Sequence, residues 1–107
     1  MKALFAEFAD VERQRARSGK LYQEFLRVPA MSTGLYVLAA GATDPQNPHR
    51  EDELYYVIRG RARFRVGDEG REVRAGSVLF VPAQVEHHFY DISQELAVLV
   101  CFAPAES

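Results

Sequence analysis

The chain has three histidines, at positions 49, 87 and 88. Imidazole is the side chain best suited to proton transfer and transition-metal ligation near neutral pH. In Pro48-His49-Arg50-Glu51-Asp52-Glu53, the two-residue period of an extended backbone turns His49, Glu51 and Glu53 to one side and Arg50 and Asp52 to the other. If the strand carrying His87 lies opposite, its imidazole converges on the same point. Two imidazoles and one carboxylate with open positions suit Fe(II), Mn(II), Zn(II) or Ni(II) rather than Mg or Ca, which prefer all-oxygen shells. The alternative is an exposed salt-bridging cluster. His88, next to His87, faces the other side of its strand and belongs to packing or surface. Neither a Ser-His-Asp or Cys-His arrangement, nor a phosphate-cradling glycine loop, nor a dinucleotide fingerprint is present.

The elements that must position these residues change character at Gly19. Residues 2 to 17 read as an amphipathic helix, with Leu4, Phe5, Phe8 and Val11 at helical spacing and Ser18-Gly19 as the stop. Acidic and basic residues mix on its polar face, so it is expected to dock on the main body rather than on a membrane surface. After it come short alternating segments: Tyr22 to Val28, Met31 to Ala39, Glu53 to Arg59, Arg61 to Val66, Arg71 to Val73, Val78 to Val81, Glu86 to Asp91 and Leu96 to Phe102. Eight short strands without crossover helices predict an all-β sandwich or barrel. Turns are expected at Arg59-Gly60 and at Gly67-Asp68-Glu69-Gly70, giving two hairpins. Residues 43 to 48, with Pro45 and Pro48, read as an ordered loop.

Two stretches resemble the motifs of the cupin superfamily. Gly41 to Gly60 is similar to the first, G-x5-H-x-H-x3,4-E-x6-G: His49 takes the place of the second histidine, Glu53 follows, and Gly60 closes the motif. Gly76 to Asp91 is similar to the second, G-x5-P-x-G-x2-H-x3-N, through Gly76, Pro82 and His87, with Asp91 where the family has Asn. Fifteen residues separate the two motifs, the short spacer of compact microbial members. The resemblance implies an antiparallel double-sheet jelly-roll barrel over residues 20–107, with the helix of residues 1–19 docked on it. It also implies a divalent transition metal held by His49, Glu53 and His87. Asn47 stands where the family's first histidine belongs, and an amide oxygen is a poorer ligand for these metals than imidazole. Asn47, Gln46 and Gln84 are the candidates for a fourth ligand, Gln84 replacing a motif glycine. Tyr55, in phase with His49 and Glu53, is the expected pocket residue. Cupins include oxygenases, isomerases, decarboxylases and non-enzymatic binders, so the fold leaves catalysis and catalytic residues undefined. The leading expectations are Fe(II)-dependent oxygen chemistry or Lewis-acid isomerase or lyase chemistry on a small polar molecule. The alternative is a non-catalytic sensing module.

Composition narrows the context. A chain of 107 residues, 48% apolar and 26% charged, can bury about two-thirds of its unfolded surface and needs no structural metal, so a metal would be there for chemistry. The single cysteine, Cys101, cannot form an internal disulfide, which favours a reducing, cytoplasmic setting; in its apolar strand it reads as a small buried hydrophobe. With net charge −2, nucleic acid is not the expected partner, and no apolar run is long enough to span a membrane. Arg59, Arg61, Arg63 and Arg65 alternate with Ala62, Phe64 and Val66, as in a half-buried strand whose arginine stripe faces solvent or a second subunit. Both faces of Tyr22 to Val28 and Met31 to Ala39 carry apolar groups, so either the helix covers them or the protein is a homodimer.

Overall fold

The computed structural model describes residues 2–107. One helix, α1 (Phe8–Ser18), precedes six strands: β1 (Tyr22–Val28), β2 (Met31–Leu38), β3 (Asp52–Val66), β4 (Glu69–Arg74), β5 (Val78–Val81) and β6 (His87–Ala103). All pairings are antiparallel, in the order β1-β2-β6-β3-β4, with β5 also on β3. The antiparallel jelly-roll expectation holds. No helix among the described residues is long and apolar enough to cross a membrane.

Six strands stand where eight were expected because β3 and β6 each span two expected strands. The Arg59-Gly60 hairpin is not formed: β3 runs through Gly60 with register shifts between Val57 and Arg63. Gly60 has φ +99°, and a Cβ there would lie 2.2 Å from the Glu95 carbonyl oxygen, so the β3–β6 bulge requires glycine. A straight strand would separate Tyr55 from Phe64 by about 30 Å, yet their ring centroids are 5.5 Å apart. The bulged strand has folded over on itself, and this closes the core. Its first half pairs with β5 and the end of β6, its second half with β4 and the start of β6. The second expected hairpin forms, with Val66 opposite Glu69 across Gly67-Asp68.

The helix begins at Phe8, not residue 2, and ends on Gly19 in the left-handed conformation. Leu4 and Phe5 do not join its apolar face and are exposed; Met1, part of the expected N-terminal unit, lies outside the described residues. Val11 packs with Leu35, Val37 and Ala97, flanked by Phe8, Phe25 and Ile58. That contact explains why β2 is apolar on both faces: one side fills the barrel and the other lies under α1.

Candidate functional site

The loop from residue 39 to residue 51 carries the first part of the site, and Asp44 organises it. This buried carboxylate accepts hydrogen bonds from the Tyr36 hydroxyl at 2.5 Å, Gln46 Nε2 at 2.8 Å and the Phe89 amide at 2.9 Å. With its NH2 turned to Asp44, the Gln46 amide must point Oε1 the other way. That oxygen accepts from the Tyr55 hydroxyl at 2.9 Å and lies 3.2 Å from His87 Nε2 and 3.4 Å from His49 Nε2. A second clasp brings the two motifs face to face. Gln84 N donates to the His49 carbonyl at 2.7 Å and Ala83 N to Asp52 Oδ1 at 2.9 Å, so the β5–β6 loop is tied to the entry of β3.

These contacts place His49, Glu53 and His87 together, their ligand atoms within 4.8 Å of one another. Glu53 Oε1 is 3.0 Å from His87 Nε2 and 3.9 Å from His49 Nε2. Both imidazoles are held by the opposite nitrogen: His87 Nδ1 sits 2.9 Å from the Val85 carbonyl and His49 Nδ1 3.3 Å from Glu106 Oε2. An acceptor at Nδ1 fixes the tautomer that leaves the Nε2 lone pair free. The cluster is therefore three acceptors facing inward, from Nε2 of two histidines and a carboxylate, with the Gln46 oxygen beside them.

Glu53 is fully buried, and neither of its oxygens has a hydrogen-bond partner; the 3.0 Å approach of His87 Nε2 is close but lacks hydrogen-bond alignment. A buried carboxylate without donors costs several kcal/mol. Two cations could relieve it, a second proton on His87 or a metal ion. Burial alone would lower the His87 pKa, but the Glu53 carboxylate and the Val85 carbonyl outweigh it and hold the pKa above its ordinary value. The Glu53–His87 separation already matches the roughly 3–3.5 Å between ligands of a first-row metal, and the 3.9 Å between Glu53 and His49 is wider by about half an ångström, so the residues fit a metal once His49 closes in.

A cavity of about 370 Å³ opens beside the cluster, lined by Tyr22, Tyr36, Gln46, Asn47, His49, Tyr55, Phe102 and Glu106 among others. Burial pushes the Tyr22, Tyr36 and Tyr55 phenols up, helped by Glu106 at Tyr22, by Asp44 at Tyr36 and by Glu53 at Tyr55. All three stay protonated; Tyr36 donates to Asp44 and Tyr55 to Gln46.

Of the three amides considered as fourth ligands, only Gln46 reaches the cluster. Asn47 is exposed at the cavity rim, and Gln84 is exposed at φ +70° and acts through its backbone. Glu51 does not share the face of His49 and Glu53: β3 starts at Asp52, so the two-residue period does not extend back, and buried Glu51 instead accepts from the Ser107 amide and hydroxyl. His88 is on the outer face beside Tyr90. Among the arginines, Arg59 pairs with Glu12 and Glu95, Arg61 with Glu72, and Arg63 bonds the Tyr90 hydroxyl. Cys101 is half-buried rather than in the core, with Sγ 3.4 Å from Thr33 Oγ1. Asp44, Tyr22 and Glu106 carry no motif signal. The short polar residue before Pro45 is the single visible hint of Asp44, while Glu106 requires the path of the C-terminal tail.

Residues 34–103, well over half of the chain, match the Cupin domain family. The chain belongs to the cupin family. This cupin is 51% identical over 98 residues to an uncharacterised protein of Streptomyces coelicolor, covering 92% of this chain and 93% of that one. Among solved structures it is similar to a protein from Thermus thermophilus (TM-score 0.75, 23% identity, 94% of this chain and 97% of that one). It is also similar to KdgF from a Halomonas species (TM-score 0.71, 19% identity, 78% and 76%). At these identities the structural likeness establishes the fold.

Proposed function

We propose that this cupin binds one divalent transition metal through His49, Glu53 and His87, with Gln46 Oε1 as a fourth ligand, and holds a small polar molecule in the adjoining cavity. The observation that carries the reading is the buried, unpartnered Glu53 carboxylate between two imidazoles whose Nδ1 atoms are both engaged. Fe, Mn, Zn and Ni all suit this donor set. Bound there, the metal would supply a Lewis acid and open positions, the latter being what Fe(II)-dependent oxygen chemistry uses. The chain's own residues would do the rest: Asp44 holds the Gln46 amide in register, Glu106 and the Val85 carbonyl hold the histidines, and Tyr22, Tyr36 and Phe102 wall off water.

A non-catalytic binding module is the competing reading. It draws support from the three protonated phenols and from the shortage of a free acid or base beyond the proposed ligands. Metal analysis of protein purified without chelator or nickel resin, followed by zinc, manganese and iron titration of chelator-dialysed protein, tests the site. One bound equivalent is expected, reduced at least several-fold by His49→Ala, Glu53→Gln or His87→Ala and unchanged by His88→Ala. No binding, with Glu53 satisfied by a doubly protonated His87, would refute the metal. Oxygen uptake or substrate turnover then separates enzyme from binder.

Assembly and location belong to the same proposal. Leu54, Tyr56, Val78 and Phe80 are 45%, 47%, 63% and 59% exposed, and they form cross-strand pairs on the outer face of β3 and β5. Because α1 covers the apolar face of β2, this patch rather than β1–β2 is the proposed homodimer surface. The reading places the protein in the cytoplasm, with neither nucleic acid nor membrane as partner.

A further inference from the structure

The C-terminal tail builds one wall of the cavity. Ala105 N donates to the Pro29 carbonyl, Glu106 N to Ser32 Oγ, Arg27 to the Glu106 carbonyl, and Ser107 to Glu51. This strapping turns the Glu106 carboxylate inward onto His49. The tail lies beyond residue 103, where the family match ends. Across the cavity, Tyr22 is aimed inward because residue 34 has no side chain: a Cβ there would come 2.3 Å from Tyr22 Cζ. The Tyr22 hydroxyl is fully buried and has no hydrogen-bond partner. A buried hydroxyl without an acceptor is costly, and Tyr22 lines the cavity, so a small turn of its ring would bring the hydroxyl to an acceptor there.

The lining residues include two carboxylates, Glu53 and Glu106, and neither Lys nor Arg. Arg27 and Arg50, the neighbouring cations, are exposed and do not line the cavity. With a divalent ion bound, two negative charges offset its two positive ones, so an anionic arm on a ligand finds no net attraction and meets Glu106 at close range. The walls themselves are aromatic: Tyr22 packs edge-on against Tyr36 and Phe102, with centroids 6.4 and 6.2 Å apart.

We infer that the cavity selects a hydroxylated ring molecule carrying no negative charge, with Glu106 rejecting anions and the Tyr22 hydroxyl donating to a ligand oxygen. This rests on the metal reading above and names the ligand class of that site. The test uses zinc-loaded full-length protein and three probes that share a catechol ring but differ in the charge of one arm: dopamine, catechol and 3,4-dihydroxybenzoate. Dopamine and catechol are expected to bind about tenfold or more tightly than 3,4-dihydroxybenzoate. At saturating zinc, Glu106→Gln should compress that ladder to within about threefold. Tyr22→Phe should weaken catechol by about tenfold while leaving zinc affinity unchanged and the melting temperature equal or higher, since the buried hydroxyl bonds nothing in the protein. Equal binding of all three probes, a ladder that survives Glu106→Gln, or unchanged catechol affinity in Tyr22→Phe overturns the inference while zinc binding stands. Failure to take up zinc overturns both readings.

Discussion

At the scale of single residues, the site is governed by which atom of each side chain is already engaged. His49 and His87 turn free Nε2 lone pairs toward the cluster because Glu106 and the Val85 carbonyl occupy their Nδ1 atoms. The Gln46 oxygen faces the cluster because Asp44 takes the amide nitrogen. Partners of this kind change metal affinity by roughly 10–100-fold when lost. Glu106→Ala is therefore expected to weaken zinc binding within that range, whereas Glu106→Gln, which keeps an acceptor for Nδ1–H, should weaken it less; isothermal titration distinguishes the two. Asp44→Ala removes three hydrogen bonds and leaves the Gln46 amide free to rotate. It should lower both metal affinity and stability, the latter by about 2–4 kcal/mol, read by urea unfolding.

At the scale of elements, the two long bulged strands do what separate hairpins were expected to do. Gly60 is where β3 turns from one half of the barrel to the other, and its positive φ and contact with the Glu95 carbonyl both exclude a side chain. Gly60→Ala should cost about 3 kcal/mol or more, and the melting temperature should fall by at least about 12 °C. A shift within a few degrees would show that the bulge relaxes without strain. The helix is a lesser contributor: Val11→Ala removes one buried contact against Leu35, Val37 and Ala97. A loss of about 2 kcal/mol with unchanged metal binding is expected.

At the scale of the whole molecule, the surface is unevenly finished. The β2 side of the barrel is sealed by α1, but β5 is an edge strand that presents Val78 and Phe80 to solvent next to Leu54 and Tyr56. An apolar edge strand of this kind is ordinarily covered, since it would otherwise recruit other chains indiscriminately. Sedimentation at micromolar concentration is expected to give twice the 12.1 kDa chain mass. Phe80→Glu should return it to the chain mass without loss of fold, because that side chain is already 59% exposed. A wild-type monomer across that range would reject the dimer.

The all-β class, most strand positions, the Gly67-Asp68 hairpin and the grouping of His49, Glu53 and His87 were legible in the sequence. Within a strand a two-residue period fixes a face without reference to the rest of the chain; the grouping of His49 with Glu53 and His87 was carried by the motif spacing instead, because His49 lies before β3 begins. Alternation cannot, however, tell a glycine that ends a strand from one that bulges it, since both need positive φ; whether β3 turned back or ran on at Gly60 depended on the pairing offered by β6. The start of the helix was misplaced for a related reason, as Leu4 and Phe5 fit helical spacing but have no surface to bury against. Most dependent on tertiary structure were the choice of Gln46 over Asn47 and Gln84 and the arrival of Glu106 at His49. The first turns on a hydrogen bond from a loop to a buried Asp44, and the second on a C-terminal tail strapped back onto a histidine near the middle of the chain. Such contacts leave no period in the chain, because they are set by where the folded backbone passes rather than by its neighbours in sequence.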